Sequence, residues 1–402
     1  MKIYRFISVL LTAVAIFSLN GCNSADNKDA KAKYIFLFIG DGMGVTQVAA
    51  AESYLAYLDG DKLGGLSLTM TSFPNFGVAT SYSANSRVTD SAAAGSAIAC
   101  GEKTRNGSIG VDAEGNPTRS IAYELHDEDY NVGIITTVPI NHATPTAFYA
   151  NNTDRDACYE MCRQIPSSGF EFFAGSGFID YRGRKNDLKP IDEVIEEEGY
   201  KVVYGFKEYE STIQKGDKVV FCQESNKEES AGNYVSEGKL AEDATLGEML
   251  ELGMKHIGTK DPFFFMCEGG KIDWTAHGNR TMPMIMDILE FDQAISIAYE
   301  FYKKHPNETL IVVTADHETG GMSLGAGREV NWGLLVEQWE RDNHKNDLSN
   351  EENRDLNRKA SIGWTTGSHS GAPVPVWAVG VGAEKFTGWM DNTEIKGKML
   401  GE

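Results

Sequence analysis

Positive charge is the commodity this 402-residue chain is short of: 37 Lys and Arg stand against 58 Asp and Glu, a formal net charge of −21. Such a surface repels phosphate backbones, which excludes a nucleic-acid binder. It does not exclude a small phosphate ester, because a local cationic site can override the global field. Cysteine is scarce too. Cys22, Cys100, Cys158, Cys162, Cys222 and Cys267 have neither the spacing of a disulfide scaffold nor that of a zinc ribbon. Cys158 and Cys162 lie one helical turn apart and could bond in an oxidising compartment; buried free thiols are the expectation for most of the set. Internal repeats are absent. The apolar run at the N-terminus, Phe6 to Leu19, is shorter than the roughly 20 residues that span a membrane comfortably.

That run follows Lys2 and Arg5 and ends in Leu19-Asn20-Gly21-Cys22, the layout of a lipoprotein-type export signal. The expectation is a signal peptide over 1–21, a lipid anchor on Cys22 and a polar tether over 22–33. The mature protein would then be exported to the cell envelope, as a periplasmic or outer-membrane lipoprotein.

The whole chain is 41% hydrophobic, enough for a large core in the remainder, 34–402. Tyr34 to Ile39 is a continuous apolar run that stops at Gly40-Asp41-Gly42, as a strand buried on both faces of a parallel sheet would. A helix is predicted from Val45 to Leu58. The same grammar recurs at Asn131 to Val138, Pro262 to Cys267, Thr309 to Thr314 and Val374 to Val381. Amphipathic stretches at Asp243 to His256 and Met282 to Lys304 lie between. Strands alternating with helices predict an α/β fold: a doubly wound, mostly parallel sheet with helices on both faces. Two polar regions, near 193–238 and 325–360, read as surface insertions.

In such sheets ligands gather at the carboxyl ends of strands. Asp41, Glu268, Asp316 and His317 all follow predicted strand ends. One acid there is usually a cap or turn residue; several, from distant strands, point to one pocket. Asp273 and His277 are four apart and share a helix face, a spacing that suits one ion and also an ordinary solvated pair. His369 sits on the glycine-flanked loop Gly367-Ser368-His369-Ser370-Gly371. Ser91, in Thr89-Asp90-Ser91, precedes an alanine-rich run and reads as a hydroxyl at a helix start, where backbone N–H groups favour an anion. Alone, that pattern is most often a plain helix cap.

Taken together, five separated motifs resemble the alkaline phosphatase family, in the family's order: Gly40-Asp41-Gly42-Met43-Gly44; Thr89-Asp90-Ser91-Ala92; His142-Ala143-Thr144-Pro145 with Arg155 downstream; Glu268 to His277; and Asp316-His317 with His369. The resemblance implies phosphate monoester hydrolysis through a phosphoserine on Ser91, with Arg155 as the phosphate clamp. It implies a first zinc on Asp273, His277 and His369, and a second on Asp41, Asp316 and His317. It further implies a magnesium on Asp41, Thr144 and Glu268. Family members are commonly homodimers. His142 stands where some members have Asp, and Trp274 where some have Lys; a neutral imidazole should hold hydrated magnesium less well. Three other readings are a phosphodiesterase, a sulfatase and an inert metal-sequestering lipoprotein. Thr144, Glu268 and Arg155 argue against the first. Thr89-Asp90-Ser91-Ala92 is unlike a sulfatase modification motif, and Ser91 itself argues against the last.

Overall fold

The computed structural model describes residues 31–60, 63–65, 67–226, 243–344 and 348–402. The expected signal, Cys22 and most of the tether lie outside the described residues. Among the described residues no helix is long and apolar enough to cross a membrane.

Among the described residues fourteen strands run in chain order. They are β1 (Tyr34–Gly40), β2 (Asn75–Thr80), β3 (Asn131–Thr136), β4 (Phe172–Gly175), β5 (Lys201–Tyr204), β6 (Val219–Cys222), β7 (Phe263–Gly269), β8 (Thr309–Thr314), β9 (Glu318–Thr319), β10 (Met322–Leu324), β11 (Ile362–Trp364), β12 (His369–Ser370), β13 (Val374–Gly380) and β14 (Gly388–Asp391). Ten of them build one sheet in the order β14-β2-β13-β8-β1-β7-β3-β4-β6-β5. Only β13 runs against its neighbours, β8 and β2; the other sheet pairings are parallel. This is the expected doubly wound, mostly parallel architecture.

The apolar runs explain the sheet's centre. Every residue of β1 and β7 is buried. Successive side chains of a strand face opposite ways, and β7 shows both directions covered. Phe264 meets Phe148, with ring centroids 6.3 Å apart, while Phe265 lies over Gly253 of the helix Leu246–Ile257. A side chain at Gly253 would collide with Phe265 and Phe172, so that helix lies close against the sheet. Burying one such phenyl ring is worth roughly 1.5–3 kcal/mol.

One expectation is corrected. The described part of the region near 193–238 is not a surface insertion. Its β5 and β6 are the outermost strands of the main sheet, and Val219, Val220, Phe221 and Cys222 are fully buried. A four-residue apolar run paired to β4 outweighs the charged composition around it. The region near 325–360 holds two helices, Trp332–Arg341 and Asn350–Lys359, between the paired strands β10 and β11. The five described cysteines are buried and free, Cys158 and Cys162 included.

Candidate metal centre

Strand register levels the sheet's carboxyl edge. Ile39 of β1 lies beside Glu268 of β7 on one side and Thr314 of β8 on the other, and Glu268 lies beside Thr136 of β3. Asp41, Glu268, Asp316 and His317 therefore gather at the ends of three adjacent strands, β1, β7 and β8, at one height. Gly42 has φ +72°, and a Cβ there would sit 2.9 Å from the Cα of Asp273. Glycine alone lets the turn after β1 press against the helix Lys271–His277.

Two further elements close the site. The two-residue ribbon of β9 and β12 pairs Thr319 with His369 and so carries His369 in from fifty residues away. Glu318 fastens it, accepting hydrogen bonds from the Gly321 N–H and the Ser370 hydroxyl. Ser91 opens the helix Ser91–Cys100. The preceding Asp90 accepts from the Ala93 N–H (3.0 Å), the Gly107 N–H (2.8 Å) and Arg155 Nη1 (2.9 Å). One carboxylate thus caps the serine helix and aims the arginine.

The donor atoms converge in three overlapping groups, the atoms of each lying within 4.8 Å of one another: Asp273, His317 and His369; Asp41, Asp316 and His317; Asp41, His142 and Glu268. His317 Nε2 is the hub. It lies 3.1 Å from Ser91 Oγ and 3.3 Å from both Asp41 Oδ1 and Asp316 Oδ2. Its ring stacks on that of His369 at 3.6 Å. His277 sits at the outer side, its Nε2 3.2 Å from Asp273 Oδ2. His317 joins Asp273 and His369 in the compact group, while His277 reaches the same carboxylate from outside it. Backbone carbonyls orient the outer imidazoles: His277 Nδ1 faces Gly367 O at 2.8 Å and His369 Nδ1 faces Thr89 O at 2.9 Å. Each Nδ1 must carry its proton to donate there, which turns Nε2 toward the site: that of His277 to Asp273, that of His369 to the same carboxylate at 3.7 Å. His142 meets Trp274 edge to face, centroids 5.7 Å apart. Sequence reasoning missed Thr136, which donates to Glu268, and Thr319, which donates to Asp273. Hydroxyl donors have no spacing signature; only the place of Thr319 two residues after His317 hinted at it.

Both oxygens of Asp41, Oδ2 of Asp316, Oε1 of Glu268, Oγ1 of Thr144 and Nδ1 of His142 are buried without a hydrogen-bond partner. Buried polar atoms are rarely left so. Four carboxylates meet here, and burial pushes Asp41 and Asp316 well above the usual carboxyl range, with neighbouring carboxylates adding to it. Burial raises Glu268 to about 7. For Asp273 burial acts upward as well, but the hydrogen bond from His277 holds it below the usual range. His277 rises to about 9 through the same bond. Burial lowers His142 to about 4 and holds His317 neutral. Inward-facing acids and the neutral imidazoles of His142 and His317, with orphaned ligand atoms among them, fit divalent cations.

Arg155 lines a cavity of about 400 Å³ with His142, Asn141 and Arg184, open beside this cluster. A family model for alkaline phosphatase matches residues 32–176 and 179–401. The chain belongs to the alkaline phosphatase family. It is therefore a hydrolase, and the family supports phosphate monoesters as its substrates. Alkaline phosphatase 4 of Bacillus subtilis is 28% identical over 92% of this chain and 89% of its own length. The alkaline phosphatase of Gadus morhua is 30% identical over 71% of this chain and 69% of its own length. Among solved structures, the enzyme of the Antarctic bacterium TAB5 is 29% identical over 92% of this chain and 98% of its own, with a TM-score of 0.74. The cold-active alkaline phosphatase of a Shewanella species is 26% identical over 91% and 98%, with a TM-score of 0.78. A His-to-Asp variant of the TAB5 enzyme, 29% identical with a TM-score of 0.72 and covering 92% of this chain and 97% of its own, has Mg bound in its M3 site.

Proposed function

We propose that this chain hydrolyses phosphate monoesters through a covalent phosphoserine on Ser91, at a site holding two zinc ions and one magnesium ion. Asp273, His277 and His369 would hold the first zinc, and Asp41, Asp316 and His317 the second. Asp41, Glu268 and Thr144, with His142 beside them, would hold the magnesium. The imidazole–carboxylate sets suit zinc, and the oxygen-rich third set suits magnesium. Magnesium in the M3 site of the TAB5 variant supports the third assignment. Bound cations would act as Lewis acids, easing loss of a hydroxyl proton and neutralising charge on the leaving oxygen.

The observation that carries the reading is the place of Ser91 Oγ. It lies at a helix N-terminus, 3.1 Å from His317 Nε2, where the helix dipole favours an anion. Arg155, steadied by Asp90, keeps guanidinium N–H groups free to grip two phosphate oxygens. Ser91 Oγ bonds to phosphorus as the ester oxygen departs with the pair of electrons. Water then attacks phosphorus and Oγ leaves, giving inorganic phosphate and the free serine. Ser91→Ala should abolish turnover of p-nitrophenyl phosphate and abolish acid-stable labelling by a phosphorus-32 ester, while zinc content by mass spectrometry is unchanged. Full turnover by that variant would refute the phosphoserine route. Activity on the bis ester exceeding that on the monoester would make the chain a diesterase instead.

The envelope location follows from the leader, which lies outside the described residues. We infer a lipid on Cys22, to be read as a mass shift that Cys22→Ser removes. Assembly as a homodimer is inferred from the family alone and is tested by sedimentation.

A further inference from the structure

On the Nδ1 side the hub histidine faces Thr319, a residue of none of the three donor groups. Its hydroxyl donates to Asp273 Oδ1, and the same oxygen lies 3.3 Å from His317 Nδ1. Thr319 and His317 are both fully buried. A hydroxyl has one proton. Given to Asp273, it leaves the oxygen only as an acceptor toward His317, so Nδ1 must bring the proton of that contact. We propose that Thr319 is a positioning residue whose single hydroxyl proton fixes His317 in the Nδ1–H tautomer and ties the Asp273 end of the centre to the His317 end.

The other two imidazoles do not need such a device. Gly367 O and Thr89 O can only accept, so they impose the Nδ1–H form on His277 and His369 unaided. His317 lacks a carbonyl at Nδ1. Without a directed acceptor at Nδ1, the carboxylate oxygens Asp41 Oδ1 and Asp316 Oδ2 would draw the proton to Nε2, the atom that they and Ser91 Oγ face. That tautomer would aim an N–H where a lone pair is required for metal ligation. Thr319 also pairs with His369 across the β9–β12 ribbon. One residue therefore touches Asp273 and His317 through its side chain and His369 through its backbone.

The inference rests on the metal-site reading for its consequence but not for its first test. Long-range ¹H–¹⁵N spectra of the metal-free protein report the tautomer of His317 directly, using His317→Gln to assign the signal. Wild type and Thr319→Ser should show Nδ1–H alone, and Thr319→Val should show a mixture or Nε2–H. Zinc affinity by chelator competition should then fall about 10- to 100-fold in Thr319→Val and return to within a few-fold in Thr319→Ser. Thermal melting of each variant confirms folding. An unchanged Nδ1–H signal in a folded Thr319→Val protein overturns the proposal, as does a Thr319→Ser protein impaired as much as the valine variant. Failure of wild type to bind zinc would instead sink the metal-site reading and leave the tautomer result standing.

Discussion

Glu268→Gln should stabilise the protein without metal and destabilise it with metal, and the crossover can be sized from the structure. Glu268 is fully buried, with one oxygen accepting from Thr136 and the other unpartnered. Burial raises its carboxyl from 4.5 to about 7. A raised acid contributes its full stability below the unfolded value and loses it as pH climbs through the folded one. The loss therefore falls between about pH 4.5 and 7. At 1.36 kcal/mol per unit it amounts to about 3 kcal/mol. Glutamine keeps the shape and an acceptor for Thr136 but has no charge to bury. With an unfolding entropy of about 2.1 cal/mol/K per residue over this length, the chelated variant should melt about 4 °C above chelated wild type at pH 8. The two should coincide near pH 4.5. Restoring zinc and magnesium should reverse the order at pH 8, because the variant forfeits a ligand that binding stabilises. The assay is differential scanning fluorimetry across pH 4.5–8, with and without chelator. A chelated variant less stable than wild type at pH 8 would refute the claim that this carboxylate is uncompensated in the metal-free fold.

Three other outcomes follow from the same geometry. Arg155→Ala should cost about 2–3 kcal/mol of charge-assisted hydrogen bonding to phosphate, a drop of roughly 30- to 150-fold in kcat/KM, measured by steady-state kinetics. Trp274→Lys adds a cation where the family resemblance sets the substrate phosphate and should strengthen product inhibition by inorganic phosphate roughly five-fold, or about 1 kcal/mol; equal inhibition constants would contradict it. His142→Asp replaces a neutral imidazole with a carboxylate in the group containing Asp41 and Glu268, so magnesium affinity by titration calorimetry should rise; a fall would remove His142 from that position.

How legible the molecule is in its sequence depends on how much each residue's environment dictates. The strands at the sheet's centre announce themselves: Tyr34–Gly40, Phe263–Gly269 and Thr309–Thr314 are buried throughout and therefore apolar along most of their length, with Glu268 the charged exception at the site end. The helix Val45–Leu58 has the predicted ends. Peripheral strands are harder. β2 is half buried and interrupted by Gly77, whose tight approach to the Phe386 carbonyl is a tertiary fact with no local trace. β14 exposes Trp389, and β5 starts on an exposed Lys201. At the site, acids and histidines after strand ends were readable because ligand chemistry restricts residue type. Geometry then brings all of them to one edge of the sheet, with His277 farther out than His317. The threonines that steer them were not readable, since a hydroxyl is common everywhere and only proximity gives it a task.

The β9–β12 and β10–β11 pairings have one more effect. They staple both ends of the stretch from Gly325 to Ser361 within a few residues of His369. Closing a loop costs only about 0.6 kcal/mol for each doubling of its length. Segments spliced into or trimmed from that excursion would thus leave the imidazole where it stands, and the chain can remodel this excursion at small energetic expense while the chemistry stays fixed.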